Sequence, residues 1–215
     1  SLFIKWIIFF MKKIKKLDFI SIKGQKTEKV IIGLHGWQGN KQSFLPMAKS
    51  KLFEKFNWYL PEAPYPVNNN SNTKSWSYEK EKDVWEIEEP KRLLDDFFES
   101  EIFKNHDSKN IFVVGFSQGA LICYEFICKL NKPLGGIFPI SGFLRSDALT
   151  INPKQNKTPI IIGHGTYDQI ISIEQSQKAY ELLKKQNANV ELITYNSSHR
   201  IPNEMLKIIA EKINN

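Results

Sequence analysis

Ile111-Phe112-Val113-Val114-Gly115-Phe116-Ser117-Gln118-Gly119-Ala120 is the stretch that decides the fold: an apolar run ends in G-x-S-x-G and passes straight into a helix-like segment. β-Branched and aromatic residues before the motif favour a strand, while Leu121, Ile122, Tyr124 and Phe126 after it fit a buried helix. Strand, sharp turn carrying a serine, then helix is the sequence form of a nucleophile elbow. A Cβ at either flanking glycine would collide with neighbouring strands, so Gly115 and Gly119 allow a turn tight enough for the serine hydroxyl to project.

Working outward, other apolar runs share the same character. Val30–Leu34 is continuously apolar and reads as an inner strand, with Asp18–Ile22 an edge strand before it and Trp58–Leu60 a third strand after it. A helix is expected to begin near Lys41. Pro61–Asn70, rich in Pro and Asn, reads as a long loop, and Trp76 and Tyr78 beyond it look exposed. Glu86–Phe103 has the spacing of an amphipathic helix. Downstream come strands at Gly136–Ile140, Pro159–Gly163 and Val190–Tyr195, with helices at about 173–185 and 202–213. Alternation of strand and helix predicts a mostly parallel central sheet with helices on both faces, and ligands then gather at the carboxyl ends of the strands.

The 215 residues, 41% hydrophobic and 25% charged, suit one α/β domain, taken as 17–215 behind an extension of 1–16. The net charge of +7 comes with lysines crowded into the first thirty residues and with an acidic stretch from Glu79 to Glu101. Only three arginines occur, and none sits among aromatics as a base-stacking surface requires, which argues against nucleic acid as a partner. Cys123 and Cys128 lack metal-ligand company and read as small core residues. Leu2–Phe10 is apolar but precedes its lysines, the reverse of a secretory signal, and is too short to span a bilayer. Met11 resembles a natural start. Membrane contact through 1–16 is not expected, and the cytoplasm is the expected compartment.

Three reactive residues directly follow three separate strands: Ser117, Asp168 and His199. A serine hydroxyl is a weak nucleophile until an imidazole takes its proton and a carboxylate orients that ring, and the order Ser, Asp, His is the α/β-hydrolase order. The rivals are weaker. Ser141 lacks an elbow, His35 and His164 precede glycines at strand ends and suit rings packed beneath a site, and His106 lies in a polar segment as a solvated loop residue. Asp147 and Glu174 compete with Asp168 for the acid. The backbone N–H groups of Gln118 and Trp37 are the expected oxyanion-hole donors. The Gln118 side chain is expected to matter less than its amide.

These stretches together resemble the phospholipase/carboxylesterase family of α/β-hydrolases, which includes acyl-protein thioesterases. The resemblance rests on Leu34-His-Gly36, Pro61-Glu-Ala-Pro64 with Pro66-Val67, Ser75-Trp76, Gly115-Phe-Ser-Gln-Gly119, Ser141-Gly142, His164-Gly165 with Asp168, and His199, in family order from about 17 to 213. It implies an α/β-hydrolase fold and cofactor- and metal-independent cleavage of carboxylic esters or thioesters through an acyl-serine. Departures fall at the pocket: Trp37-Gln38-Gly39-Asn40 replaces a Gly-Asp turn, Ser75-Trp76-Ser77-Tyr78 replaces Ser-Trp-Phe-Asp, and Ser198 replaces a glycine before the histidine. Gly36, Trp76, Phe143 and Ile170 are expected to border the substrate. The short connection 143–158 leaves no room for a cap domain and predicts an open, shallow site suited to small or protruding acyl groups. Two further readings stand beside this one: a lysophospholipase acting at membrane surfaces, and a silent binding protein on the same fold.

Overall fold

The computed structural model describes residues 16–25, 27–68 and 70–214. In chain order its strands and α-helices are β1 (Phe19–Ile22), β2 (Val30–Leu34), α1 (Leu45–Ala48), β3 (Asn57–Pro61), β4 (Tyr65–Val67), β5 (Asn70–Ser75), β6 (Tyr78–Glu81), β7 (Val84–Glu86), α2 (Glu88–Phe97), β8 (Ile111–Phe116), α3 (Gln118–Glu125), β9 (Gly136–Ile140), β10 (Ile160–Gly165), α4 (Ile173–Lys185), β11 (Val190–Tyr195) and α5 (Asn203–Asn214). Seven strands form one sheet in the order β1-β3-β2-β8-β9-β10-β11. Only β1 is antiparallel to its neighbour; the other pairings are parallel. This is the α/β-hydrolase fold expected above.

Period-two alternation explains why the inner strands are apolar throughout. Val30, Ile32 and Leu34 of β2, with Val113 of β8 and Ile162 of β10, enter a core closed by α2, α3 and α4. Ile31, Val114 and Ile161, their immediate neighbours in sequence, enter a second core closed by α1 and α5. A strand covered on both faces has no polar position to show. Cys123 and Cys128 are free and buried within the first core, and burial pushes both thiols up, Cys128 to about 12.

Three local expectations need correction. The helix anticipated near Lys41 is reduced to the single turn α1, which starts at Leu45. Pro61–Asn70 is not one loop: β4 pairs with β5 as an antiparallel hairpin, disguised because Asn70–Lys74 is too polar to read as a strand. Neither was β6–β7 legible, since Glu79-Lys-Glu-Lys-Asp83 carries turn-like charge rather than alternation, with Asp83 supplying a positive φ of 62°. Residues 86–103 are helical only from Glu88; Glu86 ends β7 and accepts a hydrogen bond from the Glu89 amide at 3.0 Å. Beyond Phe97 the backbone widens into a π turn, Phe98–Ile102, that keeps Phe98 and Ile102 buried. No described helix is long and apolar enough to cross a membrane. The apolar run before Lys16 lies outside the described residues.

Candidate active site

Ser117 occupies the turn between β8 and α3 at φ 54°, ψ −112°, a conformation that costs a non-glycine residue on the order of 1–3 kcal/mol. The positive φ falls on the serine itself, and the glycines act by close approach. A Cβ on Gly119 would lie 1.9 Å from the Leu34 carbonyl oxygen, and one on Gly115 would lie 2.4 Å from that of Gly119. So Gly119 lets α3 lie on β2, and Gly115 lets the helix fold back on its own strand. The elbow is fixed by Ser117 N–H donating to the Ile140 carbonyl at 2.9 Å and by Ala120 N–H donating to the Ser117 carbonyl at 3.0 Å.

His199 follows β11, and its Nδ1 lies 2.7 Å from Oδ2 of Asp168, which follows β10. The Asp168 carboxylate is fully shielded from solvent. Burial by itself would raise its pKa, but the Ile171 and Ile170 amides, at 3.0 and 2.9 Å from Oδ1, together with the His199 ring, hold it below the usual carboxylate value. The ring of Phe116, the residue before Ser117, packs 4.8 Å from the His199 ring, so the imidazole stands beside the elbow. Gly36 closes the third side: a Cβ there would meet Ser117 Cβ at 3.3 Å. No hydrogen bond joins Ser117 to His199 among the described residues, a contact that commonly tightens only when substrate binds.

The rival residues are engaged elsewhere. His164 is fully buried between Ser176 Oγ, 2.7 Å from Nδ1, and the Ile171 carbonyl, 2.9 Å from Nε2. His35 donates from Nδ1 to the Gly36 carbonyl at 2.8 Å and accepts from the Ala63 amide at 3.0 Å; burial pushes its pKa down to about 4. Asp147 is exposed and paired with Lys178, and Glu174 is exposed. Ser141 is wholly buried. His106 is not the solvated loop residue expected: its Nε2 lies 3.0 Å from the Tyr59 hydroxyl, and burial lowers its pKa.

Ser117 opens on a cavity of about 840 Å³ that Trp37, Gln118, Phe143 and Ile170 also line. Trp85, Ile87 and Lys91 wall it on the side of β7 and α2. The segment 143–158 adds no cap; the β6–β7 hairpin supplies the wall instead. A second cavity, about 490 Å³, lies on the other side of Gly36, Phe116 and His199 and continues to Met47 and Leu206.

Trp76 is the clear correction. It is fully buried and does not line the cavity; its indole N–H donates to the His35 carbonyl at 2.9 Å. Gln118 explains why. Its buried side chain accepts from the Trp76 amide at 2.9 Å and donates to Ser75 Oγ and Ser77 Oγ, both at 2.9 Å. The neighbouring Lys74 brackets the loop after β2, donating from its amide to the Gly39 carbonyl at 2.8 Å and accepting from the Gln38 amide at 2.9 Å. Residues 74–77 therefore tie the Gln118 side chain to the loop that carries Trp37. Neither the Trp37 nor the Gln118 N–H has a protein acceptor among the described residues.

A phospholipase/carboxylesterase family model matches residues 15–215. The chain belongs to that family. It is 31% identical to acyl-protein thioesterase 1 of Candida albicans over 91% of its own length and 95% of the relative's. It is 29% identical to the carboxylesterase SOBER1 of Arabidopsis thaliana, over 83% and 86% of the two lengths. The carboxylesterase of Bacillus cereus superposes with a TM-score of 0.77 at 21% identity, covering 97% of this chain and 98% of that one, which shows a shared fold. Among the described residues of this family member, no group of three or more His, Cys, Asp or Glu side chains converges as a metal site.

Proposed function

We propose that the chain is a serine hydrolase that cleaves carboxylic esters or thioesters through an acyl-serine, with Ser117 as nucleophile, His199 as general base and then acid, and Asp168 as the residue that orients His199. The observation that carries this reading is the 2.7 Å contact between a fully shielded Asp168 carboxylate and His199 beside the elbow. Asp168 keeps its charge because two backbone amides and the ring solvate it, and it can then stabilise the imidazolium formed when His199 takes the serine proton. The acyl carbon is attacked by Ser117 Oγ, the carbonyl oxygen becomes an oxyanion, and the uncommitted N–H groups of Trp37 and Gln118 receive it. Each such donor lowers the barrier by about 3 to 4 kcal/mol. Its position at the start of α3 adds the helix dipole to the Gln118 donor. His199 returns the proton to the leaving alcohol or thiol, and water releases the acyl group by the same steps in reverse.

Gly36, Phe143 and Ile170 border the substrate, Gly36 by letting the loop approach Ser117 and the other two as apolar lining. The names of the relatives, acyl-protein thioesterase 1 and carboxylesterase, support both ester and thioester as the scissile group. A fluorophosphonate probe is expected to label the protein with one equivalent and to lose the label in Ser117→Ala. Labelling that survives this substitution overturns the assignment, and labelling without turnover of any short ester or thioester would favour a silent binding protein.

A further inference from the structure

Arg145 stands in the wall of the larger cavity, in the connection between β9 and β10 that carries no regular element at that point. Its guanidinium stacks on Trp85, 4.6 Å from the ring centroid, and Nη2 donates to Ser77 Oγ. Ser77 Oγ also accepts from Gln118 Nε2, so two hydrogen bonds connect Arg145 to the residue after the nucleophile. Nη1 is buried with no acceptor, and no carboxylate of the described residues lies within ion-pair distance of the guanidinium. The acids around the same cavity are otherwise placed. Glu88 pairs with Lys91 at 2.9 Å, Glu125 with Lys91 and Lys129 at 3.4 Å each, and Asp83 is exposed on the hairpin turn.

A half-buried guanidinium over an aromatic ring, fixed at Nη2 and bordering the cavity with no carboxylate at ion-pair distance, leaves its charge to an anion that enters that cavity. Burial also lowers its pKa, to about 10, and the more distant Glu125 only partly offsets the lost water. We propose that Arg145 is a specificity residue of this cavity, holding an oxyanion, carboxylate or phosphate, that the substrate bears away from its scissile carbonyl. Trp37, Trp85 and Ile170 are exposed apolar residues bordering the same cavity, so the substrate that fits carries an apolar stretch between the reacting carbonyl and the charge. This deepens the ester-hydrolase reading and rests on it.

The experiment compares kcat/KM within matched pairs. For an anion on the acyl side the pair is p-nitrophenyl hydrogen glutarate against p-nitrophenyl valerate. For an anion on the leaving group it is butyrylglycerol 3-phosphate against butyrylglycerol. At low salt the anionic member of one pair is expected to be favoured by about tenfold or more, the size of a charge-assisted contact, and the favoured pair names the side. Arg145→Gln is expected to bring that ratio close to one, and a ratio taken within one variant cancels any loss common to both substrates. Should the variant fail to fold, the wild-type protein still decides. The product anion of the favoured pair, glutarate or glycerol 3-phosphate, should compete with that pair's neutral ester at least tenfold better than valerate or glycerol does, and the advantage should shrink with added salt. Neutral and anionic esters turned over equally in both pairs, or a preference unchanged in Arg145→Gln, overturns the role of Arg145 and leaves the hydrolase reading intact. Absence of turnover and of fluorophosphonate labelling overturns both.

Discussion

At the scale of single residues, His35 and Asp168 are both buried ionisable groups that respond to acid in the same direction. His35 has a folded pKa near 4 against 6.5 when exposed, so between those values the unfolded chain binds a proton that the folded chain refuses. Stability from this source is complete above pH 6.5 and declines as the pH falls, the loss reaching about 3 kcal/mol by the time the folded pKa is reached. Denaturant unfolding followed from pH 7 to 4 should show that slope, and His35→Gln should flatten it even if the variant is less stable throughout. Asp168, with a depressed folded pKa, contributes stability that is present above its unfolded value and is lost as the pH falls through the folded one. For catalysis, Asp168→Asn is expected to lower kcat by about 10⁴, because an amide cannot hold the tautomer that the serine needs. A steady-state assay of p-nitrophenyl acetate checks this, and a loss below tenfold would mean that Asp168 does not orient the base.

At the scale of elements, the arrangement that matters is the tie between α3, residues 74–77 and the loop after β2. Gln118 joins Ser75, Trp76 and Ser77 on one side, and Trp76 joins the His35 carbonyl on the other. From sequence alone the Gln118 side chain carries less weight than its amide. That side chain is the hub of a buried network, so Gln118→Ala should cost about 2 to 4 kcal/mol in stability by stranding several partners, measured by urea unfolding. Trp76→Phe removes the indole N–H together with part of the buried ring. It should cost about 1 to 3 kcal/mol and lower kcat more than it raises KM, because the loop that carries the Trp37 amide loses an anchor rather than a substrate contact. A rise in KM with kcat unchanged would restore Trp76 to the substrate-binding role expected of it.

At the scale of the whole molecule, the helices divide between two faces of one sheet, and a buried tryptophan reports on each: Trp76 from the core under α2, α3 and α4, and Trp58 from the core under α1 and α5. The inner strands β2, β8 and β10 contribute side chains to both cores, so neither can melt while the other remains packed. We propose that 17–215 is one domain, and the chain should then unfold in one transition, with tryptophan fluorescence and far-UV circular dichroism coincident in urea. Separated midpoints would indicate two units.

The sequence by itself determined the seven sheet strands, the elbow, and the Ser, Asp and His candidates at strand ends, since those features are local: apolar runs, glycines at close approaches, and polar residues where a run stops. What only the tertiary structure decided are the features that long-range contacts create. β4 to β7 pair through backbone hydrogen bonds that Asn70–Lys74 and Glu79–Asp83 do not advertise. His106 gains a partner in Tyr59, distant in sequence. Trp76 is drawn inward because the buried His35 carbonyl needs a donor, an account of polar satisfaction that spacing along the chain cannot express.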